Sequence, residues 1–137
     1  MADVTQTAAN VRFGTNAKRF KVKSGEAIII GMPLYLKASD GKVWKTDADA
    51  SLEAGTLAGW AGQTVPAADQ WLDLVIEDDD FTPGFTMTKN GVYVPSATAG
   101  GIAPVADVTT GWYGMWGIFA KSTSKAKLFT FNSGVAV

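Results

Sequence analysis

"WLDLVIE", residues 71–77, decides the fold class. With a period of two, Leu72, Leu74 and Ile76 share one face and Trp71, Asp73 and Val75 share the other, which predicts a β-strand. Working upstream, "PAADQ" (66–70) reads as a turn and "TLAGWAGQTV" (56–65) as a strand loosened by glycine. "RFKVK" (19–23) alternates cleanly, with Phe20 and Val22 inward and Arg19, Lys21 and Lys23 outward. Ser24-Gly25 turns the chain into "EAIII" (26–30), a buried strand. Gly31 and Pro33 interrupt the next segment, so "PLYLK" (33–37) is an edge strand or comes after a bulge. Asp40-Gly41 then turns it into "KVWKT" (42–46), a hairpin. Residues 47–54 form a short helical turn with Asp47 or Asp49 as cap and Gly55 as stop.

Downstream, "DDDFTPG" (78–84) is a loop and "FTMTKNGVYV" (85–94) a second hairpin on Asn90-Gly91. "PSATAGGIAP" (95–104) is irregular, and "VADV" (105–108) pairs briefly. "GWYGMWGIFAK" (111–121) and "KAKLFTF" (125–131) close the chain around a turn at 122–124. Short strands between turn residues, with at most one helical turn, predict an all-β fold. The expected architecture is a small single-domain barrel or sandwich of short antiparallel strands. Residues 1–17 form an extended N-terminal arm, and residues 18–137 form a compact β domain.

Composition narrows the chemistry. The 137 residues are 47 % hydrophobic and 18 % charged, in the range of a folded globular chain. No apolar run is long enough to cross a bilayer as a helix, and the N-terminus lacks the basic-then-apolar design of a signal peptide. There is no Cys and no His. Disulfides, thiolate metal sites, Ser-His-Asp and Cys-His arrangements and the zinc hydrolases are therefore excluded. "GxGxxG" and "GxxxxGK[ST]" phosphate loops are absent too. What remains for an enzyme is a carboxylate pair, a lysine or a metal held by oxygens. Asp73 is the only acid in an apolar setting, and an edge or interface position explains it. No catalytic residue, cofactor or metal site is expected.

The net charge of −1 hides a segregation. Arg12, Lys18, Arg19, Lys21 and Lys23 stand near the start against Asp3 alone. Every charge between Thr46 and Thr88 is acidic, ending in Glu77, Asp78, Asp79 and Asp80, and Lys121, Lys125 and Lys127 come after. The acidic run reads as a solvated turn, with a cation shared around a symmetry axis as the alternative. The dipolar chain suits contact with copies of itself or with an acidic surface. The arm is either a frayed terminus or a segment ordered along a neighbouring chain as an added strand. In the second case Val4, Val11 and Phe13 are its apolar points, and Arg12, Lys18 and Arg19 match an acidic partner. Nucleic acid and membrane are not expected partners.

"GWYGMWGIF", residues 111–119, has no polar face in either phase. Trp112, Gly114, Trp116 and Ile118 share one face and Tyr113, Met115, Gly117 and Phe119 the other. One face fills the core and the other meets a sister subunit or partner, with Trp112, Tyr113, Met115, Trp116 and Phe119 as the candidate interface residues. The alternative is a central strand covered by the chain's own "PSATAGGIAP". The five tryptophans, Trp44, Trp60, Trp71, Trp112 and Trp116, also supply material for a carbohydrate-binding β module.

"SGEAIIIGMPLYLKASDGKVWKTDADAS" followed by "AGTLAGWAG" resembles the small decoration, or cement, proteins of tailed-phage heads. The matching residues are Gly25, Glu26, Gly31, Pro33, Leu34, Tyr35, Leu36, Asp40, Gly41, Lys42, Val43, Trp44 and Gly59. The likeness covers about a third of the chain and is a pattern of strands and turns. It implies a compact β domain without enzymatic activity, made in the host cytoplasm and bound to the outer capsid surface of the virion. Its implied partners are the major capsid protein and further copies of itself, as trimers or alternatively dimers, clamping neighbouring coat subunits.

Overall fold

The computed structural model describes residues 3–137 and is all-β. Among the described residues the strands are Lys18–Lys23 (β1), Pro33–Lys37 (β2), Lys42–Lys45 (β3), Gly59–Ala61 (β4), Trp71–Phe81 (β5), Val92–Pro95 (β6), Ile102–Pro104 (β7), Tyr113–Ala120 (β8) and Ala126–Ala136 (β9). They form one antiparallel, barrel-like sheet in the order β3-β2-β4-β5-β9-β8-β6-β7, with β1 paired to β5. A parallel bridge from Ser24 to Val43 links the end of β1 to β3. The first five strands thereby come round on themselves.

β5 is the wall between two cores. Leu72 and Leu74 face the first, with Ile28, Leu34, Val43, Ala61 and Val65. Val75 and Phe81 face the second, with Trp60, Ile102, Met115, Ile118 and Leu128. β4 divides in the same way, Trp60 to the second core and Ala61 to the first. Adjacent residues of a strand point to opposite faces, so a strand buried on both sides serves two cores at once. The approach of β8 to this wall is close. A Cβ on Gly117 would run into the Trp60 ring, so only glycine fits beneath that indole.

The hairpin on Asp40-Gly41 forms as expected, with Leu36 opposite Val43 and Gly41 at φ +69°. Several other expectations are corrected. The strand at 71–77 runs on through the acidic residues to Phe81, so 78–81 is not a loop. The residues at 47–54 form successive turns instead of a helix, closed by Asp47 N–H to Ala54 O at 3.0 Å. "EAIII" is not a strand: Ile28 alone bridges Val65, and Ile29 is exposed. Phe20, expected inward, is 53 % exposed. The turn at Asn90-Gly91 forms, with Asn90 at φ 68°. Residues 85–88 do not pair back onto β6, however, because Met87 N–H bonds Thr123 O at 2.9 Å. β6 pairs β8 and β7, and its hairpin turns through 96–101 instead.

The N-terminal segment is laid along the chain's own domain. Val4 N–H bonds Ile102 O at 2.9 Å, Thr7 N–H bonds Gly84 O at 2.8 Å, and Arg12 bridges Thr82 in both directions. Val11 is 2 % exposed in the second core, and the Phe13 ring lies 5.0 Å from that of Phe81. Burying an aliphatic side chain of that kind is worth about 1.5–3 kcal/mol, which a free arm would forgo. Met1 and Ala2, the first residues of the expected arm, lie outside the described residues.

Candidate interaction surface

The β8–β9 hairpin carries two different faces. Its register slips between Trp116 and Ile118, so the simple alternation of "GWYGMWGIF" breaks there. Met115 and Ile118, three apart, both enter the second core, while Trp116 and Phe119 turn outward. Trp116 pairs with Phe131 across the strands, ring centroids 5.4 Å apart at 49°. Phe131 is 55 % exposed, Val135 64 %, and Val137 and Phe119 are exposed as well. A hairpin with one buried and one solvated face normally carries mostly polar residues outside; here Lys127 and Ser133 share that face with Phe119, Phe131 and Val135.

Of the five residues expected at an interface, Trp116 and Phe119 are available on the outer face. Met115 is a correction, since at 2 % exposure it belongs to the core. Trp112 packs against the same core, and Tyr113 is half-buried over Gly55, its N–H bonded to Ala48 O at 2.7 Å. Phe131, Val135 and Val137 are additions from the structure. Their signal in the sequence is the odd-numbered run 131, 133, 135, 137, which carries the strand past the end of "KAKLFTF".

The charged residues expected to meet an acidic partner also have partners within this chain. The Arg12 guanidinium donates to Ala9 O at 2.7 Å and Val11 O at 2.9 Å. Lys18 pairs with Glu77 at 3.3 Å, and Arg19 and Lys21 pair with Asp73 at 3.3 and 2.8 Å. On the other side, Lys127 reaches Glu77 and Asp79, Lys125 reaches Asp80, and the Lys121 ammonium donates to the Asp79 carbonyl. The acidic strand thus lies between two basic ones. The hydrogen bond from Lys21, helped by Arg19, holds the Asp73 carboxyl below the usual carboxylate range despite its partial burial.

Asp78 overturns the solvated-turn reading most directly. It is 2 % exposed and accepts backbone N–H bonds from Gly14 at 2.8 Å and Asp80 at 3.0 Å. Such charge-assisted bonds stabilise a carboxylate withdrawn from water. Among the described residues no group of three or more Asp or Glu is gathered as a metal site. Asp47 is pushed upward, first by burial and then by Asp49, but its carboxylate serves the local turn.

The tryptophans form no common platform. Trp60 is fully buried, Trp44 bonds Asp40 and lies under Lys37, and Trp71 is exposed beneath Lys23. Trp112 packs on the second core, whereas Trp116 faces outward onto Phe131. In comparison with known proteins, no family model matches the chain and no curated protein matches it significantly.

Proposed function

We propose that this chain is a structural, non-enzymatic decoration protein of a tailed-phage head, bound to the outer capsid surface of the virion. The observation that carries the reading is the set of exposed apolar side chains on the outer side of β8–β9, Phe119, Phe131, Val135 and Val137, with the half-buried Trp116 against Phe131. Several large apolar side chains left exposed on one hairpin are the kind of surface that a contact with another protein covers. The resemblance of residues 24–62 to phage cement proteins supplies the partner: the major capsid protein, with further copies of this chain as trimers or dimers. We place the contact on the hairpin, because Lys18 and Arg19 already pair with acids of this chain and the Arg12 guanidinium with its own carbonyls. A protein that binds only the assembled lattice stabilises it by its binding energy, and many copies let each contact be modest.

The test is to purify intact virions or virus-like particles from the source and quantify this chain against the major coat protein by gel and mass spectrometry. A copy number comparable to the coat protein is expected. Complete absence overturns the reading, and a handful of copies moves the chain to a tail or portal position.

A further inference from the structure

A second surface differs in kind from the apolar hairpin. Where residues 5–10 cross the end of β5, a shallow cleft of about 500 Å³ opens between that segment, residues 82–86 and the turn at 123–124. Three sets of backbone bonds frame it: Thr7 N–H to Gly84 O at 2.8 Å, the Arg12–Thr82 bridge, and Met87 N–H to Thr123 O at 2.9 Å. Its walls are preformed, because each segment of the frame is tied to the next.

The lining is chemically uniform. Five threonines, Ser124 and Asn10 supply the polar groups, and none of the lining residues is charged. Among the described residues, none of those side chains is engaged in a hydrogen bond to the rest of the chain. Phe85 adds one aromatic ring, braced edge-on by Tyr93 at 5.2 Å and 65°. Tyr93 is itself held by Thr88 N–H, which donates to its hydroxyl at 2.9 Å. The contrast with the cleft beside Asp78, lined by Lys18 and four acids, is complete.

We propose that this cleft binds a neutral oligosaccharide. Each sugar hydroxyl both donates and accepts, and rotatable Thr and Ser hydroxyls with an Asn amide match that dual demand. An anionic or cationic ligand would find no counter-charge here. A sugar also presents an apolar C–H face, for which the half-buried Phe85 is the one aromatic residue of the lining. The volume lies within the range of about 300–1,000 Å³ typical of small-molecule sites. The site is independent of capsid decoration and stands or falls separately from it.

The test uses the full ¹⁵N-labelled chain, titrated into the millimolar range with maltohexaose, cellohexaose and chitohexaose, followed by amide NMR shifts. At least one sugar is expected to shift the amides of residues 5–10, 82–86 and 123–124 and to leave those of β8–β9 in place. The double variant Thr86→Val/Thr123→Val keeps side-chain volume but removes two hydroxyls, and should weaken binding at least tenfold. Asn10→Ala, away from both cores, provides a second variant expected to weaken binding with the spectrum elsewhere unchanged. Retention of the chain on insoluble starch, cellulose or chitin, lost in the variants, identifies a surface polysaccharide. Binding to the soluble sugar alone identifies a free oligosaccharide. Silence at these amides with all three sugars overturns the proposal, as do shifts centred on Trp71 or Trp116. Stronger shifts at the same amides with a heparin hexasaccharide, or unchanged affinity in both variants, overturn it as well.

Discussion

The flank formed by β1 and β5 and the outer face of β8–β9 both carry side chains suited to binding something else. The first is basic and acidic in separate blocks of sequence, the second rich in exposed aromatic and aliphatic side chains. In the folded chain the charges meet each other: Lys18, Arg19 and Lys21 lie on Glu77 and Asp73, and Lys125 and Lys127 on the far acids. On the hairpin's outer face Trp116 packs on Phe131, and Phe119 stays exposed. Segregated charge can thus be a signal of which strands pair, whereas apolar surface left over after the cores are filled points outside the molecule.

The largest break in this comparison comes from inside the hairpin. Met115→Ala empties a buried site of the second core and should cost about 2–5 kcal/mol, read from urea unfolding. If Met115 instead served a partner, stability would hardly change and association would fall. Next, deleting residues 2–12 removes Val11 and the bridge to Thr82. It should cost at least the roughly 1.5–3 kcal/mol of burying one aliphatic side chain, seen as a lower midpoint in thermal unfolding. An unchanged midpoint would mean that the segment contributes nothing to its own domain.

Phe131→Ala acts on the outer face and loses only the ring pair with Trp116, about 0.5–1.5 kcal/mol of stability. Its expected effect on assembly is much larger: sedimentation or co-purification with particles should show the variant released. Smallest is Asp73→Asn on the charged flank, about 1 kcal/mol or less at low salt and fading as salt rises. Because the Asp73 carboxyl is depressed in the folded chain, its stabilising contribution is present above the unfolded value of about 3.9 and is lost as pH falls through the lower folded value. Wild type and variant should therefore differ at neutral pH and converge in strong acid, as tracked by unfolding at a series of pH values.

Local patterns were legible where local forces set them. The Asp40-Gly41 hairpin and the tight turn at Asn90 depend on backbone conformations that those residues adopt readily. The core of "WLDLVIE" was legible as strand because alternation is a property of the strand itself. Its extension through three further acids was not. Consecutive carboxylates are stabilised there by Lys18 ahead of them and Lys125 and Lys127 beyond them, cations from β1 and from the β9 side that are remote in sequence. The available part of the interface shows the same limit. Trp116 and Phe119 were identified, but Met115 was not separated from them, because the register slips at Gly117, where the Trp60 indole of another strand presses on β8.

By itself the sequence determined that the chain is all-β, where its tight turns fall, and that His- and Cys-dependent chemistry is excluded. These rest on residue types and short-range periodicity. Only the tertiary structure decided that β5 divides two cores, that the N-terminal segment seals the second, and that the charges satisfy one another. Each of those depends on which distant strands become neighbours, and burial and pairing energies are realised only once they do.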